Sequence, residues 1–187
     1  RLTTALGYGW REQEGLEADD LIASAVSQMS AEENNLLIVS SDKDLSQLVS
    51  PNTKQLLPPP TANPKLGWRL LDEAGVKDKF GVSPSGILDY LSIIGDQSDN
   101  IPGLPGVGPK TALKWMSEYG ELESIIENAG RLSPKRFCSL VYEMRADLLR
   151  NRELVRLESD LDLDMSDCPS VNMEEIKEIL LELEMNK

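Results

Sequence analysis

Residues 101–112, IPGLPGVGPKTA, hold three glycines and three prolines within twelve positions, and no regular element longer than a turn can pass through them. Proline removes a backbone donor and fixes φ, while glycine opens conformations closed to other residues, so the run forces a tight hairpin. Pro109 then stands where a helix accepts proline best, which predicts a helix from Pro109 to about Tyr119. Upstream, Ser83 and Pro84 open a helix whose apolar stripe is Ile87, Leu88, Leu91 and Ile94, stopped by Gly95. The unit is therefore helix, hairpin, helix. Within GLPGVGPK, Gly106 and Gly108 are read as taking unusual backbone angles and allowing close approach, so that N–H groups can face a phosphate, with Lys110 adding charge at the helix start. Taken alone, the stretch is equally a plain tight turn.

The remaining chain alternates helix and strand. Residues 16–29 place Leu21, Ile22, Ala25, Val26 and Met29 on one helical face, behind a first turn rich in acids, which predicts a helix starting near Ala18. LLIVSS, residues 36–41, reads as a central strand of a parallel sheet covered on both faces, and a second short apolar run spans Lys54 to Leu57. This is the pattern of an α/β fold. PPPTANP, residues 58–64, is a loop, and Asp72 caps a helix that ends near Phe80 with Gly81 as its stop. Near the C-terminus Ile176, Ile179, Leu180 and Leu183 form one side of an amphipathic helix.

Composition narrows the chemistry. Histidine is absent, which excludes imidazole bases and histidine-based zinc sites, and Cys138 and Cys168 form no CxxC pair, so both are expected to be free thiols. Three acidic groups stand at element ends: Glu17, Asp19 and Asp20 in EADD; Asp42 and Asp44 in SDKD; Asp96 and Asp99 in GDQSDN. Ligand sites of open α/β sheets gather beyond the C-terminal ends of strands, where Asp42 and Asp44 fall. Seven carboxylates meeting there would repel unless cations joined them, and Mg²⁺ or Mn²⁺ are the hard ions that oxygen ligands select. Two such ions can activate a water and stabilise the departing 3′ oxygen in phosphodiester hydrolysis. Each group alone has an ordinary reading, as helix capping, a strand-end turn or an Asx turn; the three in order point to the metal site. The net charge of −13 opposes nucleic-acid binding, but seven negative charges belong to this set, and Lys114, Lys135, Arg136, Arg145, Arg150, Arg152 and Arg156 make a basic region downstream.

The ordered set GLEADDLI, VSSDKDLSQLV and DYLSIIGDQSDNIPGLPGVGPKTA closely resembles the 5′ nuclease domain of bacterial DNA polymerase I and its stand-alone and phage relatives, in the flap endonuclease superfamily. The resemblance implies an α/β fold: an incomplete PIN-like parallel-sheet core joined to a helical helix–hairpin–helix (H3TH) subdomain. It implies a Mg²⁺-dependent 5′→3′ exonuclease or flap endonuclease of DNA replication and repair. The seven acids would bind two Mg²⁺ or Mn²⁺ ions, and Gly103, Gly106, Gly108, Lys110, Thr111 and Lys114 would grip duplex DNA, with K⁺ on the hairpin carbonyls. The substrate would be DNA with a 5′ flap, nick, gap or end, and the protein a monomer in the cytoplasm, at the nucleoid and not at a membrane.

The expected division is residues 1–82 for the C-terminal part of the nuclease core, 83–160 for the DNA-binding subdomain and 161–187 for an amphipathic helix packing on the core. The family pattern has two further metal-binding Asp residues and a basic arch upstream of EADD, so the sequence is expected to be an N-terminally truncated piece, inactive alone and active in its parent. Three other readings stay open at this point: a DNA-binding module without catalysis, a trimmed N-terminal domain of a DNA polymerase I, and a metal-dependent phosphatase.

Overall fold

The computed structural model describes residues 1–30, 34–166 and 169–185, and the chain divides into two compact units: residues 1–28 with 158–187, and residues 29–157.

In the larger unit β1 (Leu36–Val39) pairs parallel with β2 (Thr53–Leu57), Leu36 opposite Thr53 and Val39 opposite Leu56. A third strand, β3 (Arg69–Leu71), adds antiparallel to β2, so the sheet is mixed and has the order β1-β2-β3. The sequence pattern gave no sign of β3, because three residues are too few to show a period. The expectation of a central β1 covered on both faces is corrected: β1 is an edge strand of the described sheet, Leu37 and Val39 are 54% and 58% exposed, and Ile38 alone of the strand is buried. A continuous apolar run cannot tell a covered face from an open one, since both faces read apolar.

Helix α3 (Glu73–Phe80) follows, with Asp72 Oδ1 accepting from the Gly75 N–H at 2.8 Å and Gly81 closing it in the left-handed conformation. A 3-10 turn at Pro84–Gly86 leads into α4 (Ile87–Ile94). Ile87, Leu91 and Ile93 are fully buried there, against α5 (Pro109–Tyr119) and α8 (Arg145–Val155). Between α4 and α5 runs a hairpin of β4 (Gly95–Asp96) and β5 (Ile101–Pro102). The core continues through α6 (Leu122–Glu127) and α7 (Cys138–Glu143). At its centre Trp115 is fully buried, its indole N–H donating to the Ser133 carbonyl at 2.8 Å and its ring meeting Phe137 edge-on.

In the smaller unit α1 (Leu2–Ala5) packs on α9 (Met173–Glu182) around Ala5, Ile176 and Ile179, and Asn172 caps α9 on the Glu175 N–H. Helix α2 (Ala18–Ser30) starts where its acidic first turn predicts. Its residues Asp20 and Ser24, one turn apart, hold an extended segment: Asp20 Oδ1 accepts from the Glu158 N–H at 2.9 Å, and the Ser24 hydroxyl bridges Glu158 and Leu161. Cys138 is a free thiol; Cys168 lies outside the described residues.

Candidate metal centre and hairpin clamp

The acidic centre begins with a buried amide. Gln55 on β2 is fully buried, and its Nε2 donates to the carbonyls of Ser40 and Asp42 while its Oε1 accepts from the Ser46 hydroxyl at 2.7 Å. These three bonds fix the loop that leaves β1. Asp42 Oδ1 then accepts from the Asp44 N–H at 3.0 Å, an Asx turn that starts the 3-10 helix Asp44–Leu48 and points Asp44 inward. From the hairpin, Asp96 comes in on β4 with its side chain 3% exposed, and Asp99 follows in the turn.

Asp44, Asp96 and Asp99 each bring a carboxylate oxygen within 4.8 Å of the other two. Asp42 is exposed and outside this trio, although its charge acts on both Asp44 and Asp99. Glu17, Asp19 and Asp20 belong to α2 and the turn before it, where Asp20 holds the extended segment described above.

The surroundings shift the three carboxyls in different directions. Burial pushes Asp44 up to about 7, and Asp42, Asp96 and Asp99 add to the rise against the opposing pull of Lys43. Asp99 is raised by partial desolvation first, then by the charge of Asp96 and a hydrogen bond with it. Asp96 goes the other way: burial opposes its ionisation, but the Lys43 ammonium together with the Ser98 hydroxyl and N–H hold it below the usual carboxylate range. Lys43 forms an ion pair with Asp96 Oδ2 and donates to Ser98 Oγ at 2.8 Å. Lys43 and Ser98 were not singled out from the sequence; the available signal was a lone cation enclosed by two acids in SDKD.

The donors fit a hard divalent ion. They are all carboxylate oxygens, and Asp44 Oδ1 is buried without a hydrogen-bond partner among the described residues, an arrangement that costs free energy unless a cation or proton joins it.

Asp96 is also the first anchor of the hairpin. Gly95 has φ +77°, and a Cβ on it would lie 2.2 Å from the Gly103 N; one on Gly103 would lie 2.2 Å from the Ile94 carbonyl carbon. Gly103 thus serves a backbone-to-backbone contact. The Leu104 N–H donates to Ile93 O at 2.9 Å, and Leu104 and Val107 are buried, so the loop is tied down on both sides of its tip. Gly106 takes φ +74° as expected, but the reading of Gly108 is corrected: its φ of −106° and ψ of 179° are ordinary extended backbone, with nothing near its Cβ position. Only the close-approach part of that reading can still apply to Gly108. Lys110 and Lys114 are exposed on the first turns of α5, Lys114 lying 3.8 Å from Glu118, and Thr111 is half-buried, its N–H on the Gly108 carbonyl. The hairpin is braced from α8, where buried Asn151 donates to the carbonyls of Ser92 and Pro102.

The basic region is less available than its charges suggest. Arg152 is 18% exposed and paired with Glu123 and Asp89, while Arg150 and Arg156 pair with Asp147 and Glu153. Lys135 and Arg136 stay exposed.

A mixed sheet whose strand end meets a hairpin in a cluster of hard oxygen donors, with that hairpin set between two packed helices, is an α/β arrangement with a candidate divalent-cation centre. Two family models match the chain consecutively, "5'-3' exonuclease, N-terminal resolvase-like domain" over residues 1–81 and "5'-3' exonuclease, C-terminal SAM fold" over residues 82–178. The chain belongs to the 5'-3' exonuclease family. Among its relatives are a DNA polymerase I of Rhizobium leguminosarum, 40% identical over 87% of this chain and 15% of that protein, and a 5'-3' exonuclease of Aquifex aeolicus, 37% identical over 93% and 58%. The chain thus spans less than two thirds of either. Its fold is similar to that of the T5 D15 protein co-crystallised with metal ions (TM-score 0.69, 21% identity, 81% of this chain and 54% of that one). It is also similar to the catalytic core of Rad2 in complex with a DNA substrate (TM-score 0.61, 14% identity, 96% and 59%). No described helix is long and apolar enough to cross a membrane.

Proposed function

We propose that this chain forms the metal-binding and DNA-gripping part of a structure-selective 5′→3′ exonuclease or flap endonuclease acting in DNA replication and repair. The observation that supports the reading is that Asp96 and Asp99 of the acidic centre lie in the β4–β5 hairpin, and the loop that follows it directly carries Gly106 and Gly108 into the exposed Lys110 at the start of α5. A small phosphoester would need the first feature without the second.

Asp44, Asp96 and Asp99 would hold Mg²⁺ or Mn²⁺, and Asp42, Glu17, Asp19 and Asp20 join them as ligands in the proposal, in a set sized for two ions. Bound divalent ions supply charge neutralisation at the phosphodiester and lower the pKa of water. The protein's own groups orient the polymer: hairpin N–H groups near Gly106 and Gly108, with Lys110, Thr111 and Lys114, contact phosphates and give affinity without sequence preference. K⁺ on the hairpin carbonyls belongs to the same proposal. So does a division of labour between residues 1–82 as nuclease core, 83–160 as DNA-binding subdomain and 161–187 as a bracing helix. A monomer working in the cytoplasm on 5′ flaps, nicks, gaps and ends completes the reading.

The test is cleavage of a 5′-flap duplex, with Mg²⁺ and with EDTA, by a polypeptide carrying these residues together with the segments that complete its relatives. Cleavage only with Mg²⁺, and its loss in Asp44→Ala with duplex binding retained, is the expected result. Equal cleavage in EDTA would defeat the proposal.

A further inference from the structure

Lys43 stands inside the acidic centre, and its role is not that of a surface lysine. Its ammonium forms the ion pair with Asp96 Oδ2, donates to Ser98 Oγ at 2.8 Å, and is also attracted by Asp44 and Asp99. Asp96, 3% exposed at its side chain, has its other oxygen occupied by the Ser98 N–H at 2.9 Å and hydroxyl at 2.5 Å. Ser98 thus engages Oδ1, Asp99 is hydrogen-bonded to the same carboxyl, and the flexible, partly exposed arm of Lys43 holds Oδ2. A divalent ion that takes Asp96 as a ligand must displace or share that oxygen.

We propose that Lys43 is a positioning residue: a built-in counter-cation that holds Asp96 and the Ser98 turn in place before the divalent ion arrives, and yields Asp96 Oδ2 to the ion when it binds. The inference rests on the metal-centre reading above. The ammonium, whose partial desolvation is offset by the carboxylates around it, neutralises a buried carboxylate that would otherwise destabilise the hairpin, and competes with the incoming ion by its own charge. It sets the ion affinity below what the carboxylates alone would give, in exchange for a hairpin that is ordered without metal.

Two properties should then move in opposite directions when the charge is removed. Lys43→Gln is expected to bind Mn²⁺ roughly three- to tenfold more tightly in calorimetric titration of the full chain, and to melt at a lower temperature than wild type in EDTA. Lys43→Arg, which keeps the charge, should stay within about twofold of wild-type affinity. A Lys43→Gln protein that folds and binds Mn²⁺ with equal or weaker affinity overturns the proposal, since a structural or ligand-orienting lysine would give that result. The wild-type chain supplies a second readout that needs no variant: acetylation of the Lys43 amine, followed by mass spectrometry, should run several-fold faster with saturating Mg²⁺ than in EDTA, and an unchanged or slower rate overturns the proposal equally. If wild type shows no saturable Mn²⁺ binding, it is the metal-centre reading that fails.

Discussion

Asp44 joins burial, loop geometry and ion binding in a single side chain. Its carboxyl titrates near 3.8 when the chain is unfolded and near 7 when folded without metal. The unfolded chain therefore releases this proton first as pH rises, and the folded state loses stability between about pH 4 and pH 7, with the loss persisting above. Because the residue is only half-buried, the effect is discounted to about 1 kcal/mol, or roughly 2–4 °C in Tm for a chain of this size. Metal-free protein should melt lower at pH 8 than at pH 5.5, and Asp44→Asn should reduce that difference by about this amount while removing ion affinity; melting curves in EDTA at the two pH values decide it. Ion binding must also displace the proton, so the Mn²⁺ affinity of wild type should climb with pH up to about 7 and level off beyond. A flat titration from pH 5.5 to 8.5 would show that Asp44 is not a ligand.

At the scale of elements, the hairpin depends on two glycines whose positions exclude any Cβ. Gly95→Ala would combine φ +77° with a clash against the Gly103 backbone, which should cost roughly 2–4 kcal/mol in urea unfolding and take duplex binding with it. Gly108→Ala meets open space in an extended conformation and should leave stability unchanged, so a loss of duplex affinity in that variant reports phosphate approach alone. The loop after β1 has its own support in Gln55. Gln55→Leu would leave the Ser46 hydroxyl and the loop carbonyls without partners inside the core, and an unfolding penalty of about 2–4 kcal/mol is expected, together with weaker Mn²⁺ binding because Asp42 and Asp44 lose their frame.

For the whole molecule the main tension is a net charge of −13 in a chain that belongs to a DNA-processing family. Much of its basic region is neutralised internally, most clearly at Arg152, which ties α8 to Glu123 and Asp89. Duplex affinity should thus depend on few phosphate contacts and on bound divalent ions. Lys110→Ala should weaken binding evenly across sequences and lower the slope of log affinity against log salt by about one unit, as measured by fluorescence anisotropy. Ions that bind the folded state alone also stabilise it, by about 2.7 kcal/mol at a hundredfold excess over their dissociation constant, so EDTA should lower the melting temperature of protein prepared in Mn²⁺.

The sequence by itself determined the helix limits around the hairpin, the caps at Asp72 and Gly81 and the β1 and β2 strands, and it marked seven acids as candidates. Each of these rests on local chemistry, on backbone freedom, capping or charge that would be costly to leave unpaired. Of those acids, only the folded chain drew Asp44, Asp96 and Asp99 into one cluster. The tertiary structure alone decided that Leu37 and Val39 are exposed, that β3 closes the sheet antiparallel, and that Gly103 serves backbone contact while Gly108 is ordinary extended chain. It alone brought Lys43 onto Asp96 and Gln55 under the Asp42 carbonyl, since those pairs are separated by 53 and 13 residues and no local pattern encodes which distant polar groups will share a desolvated space.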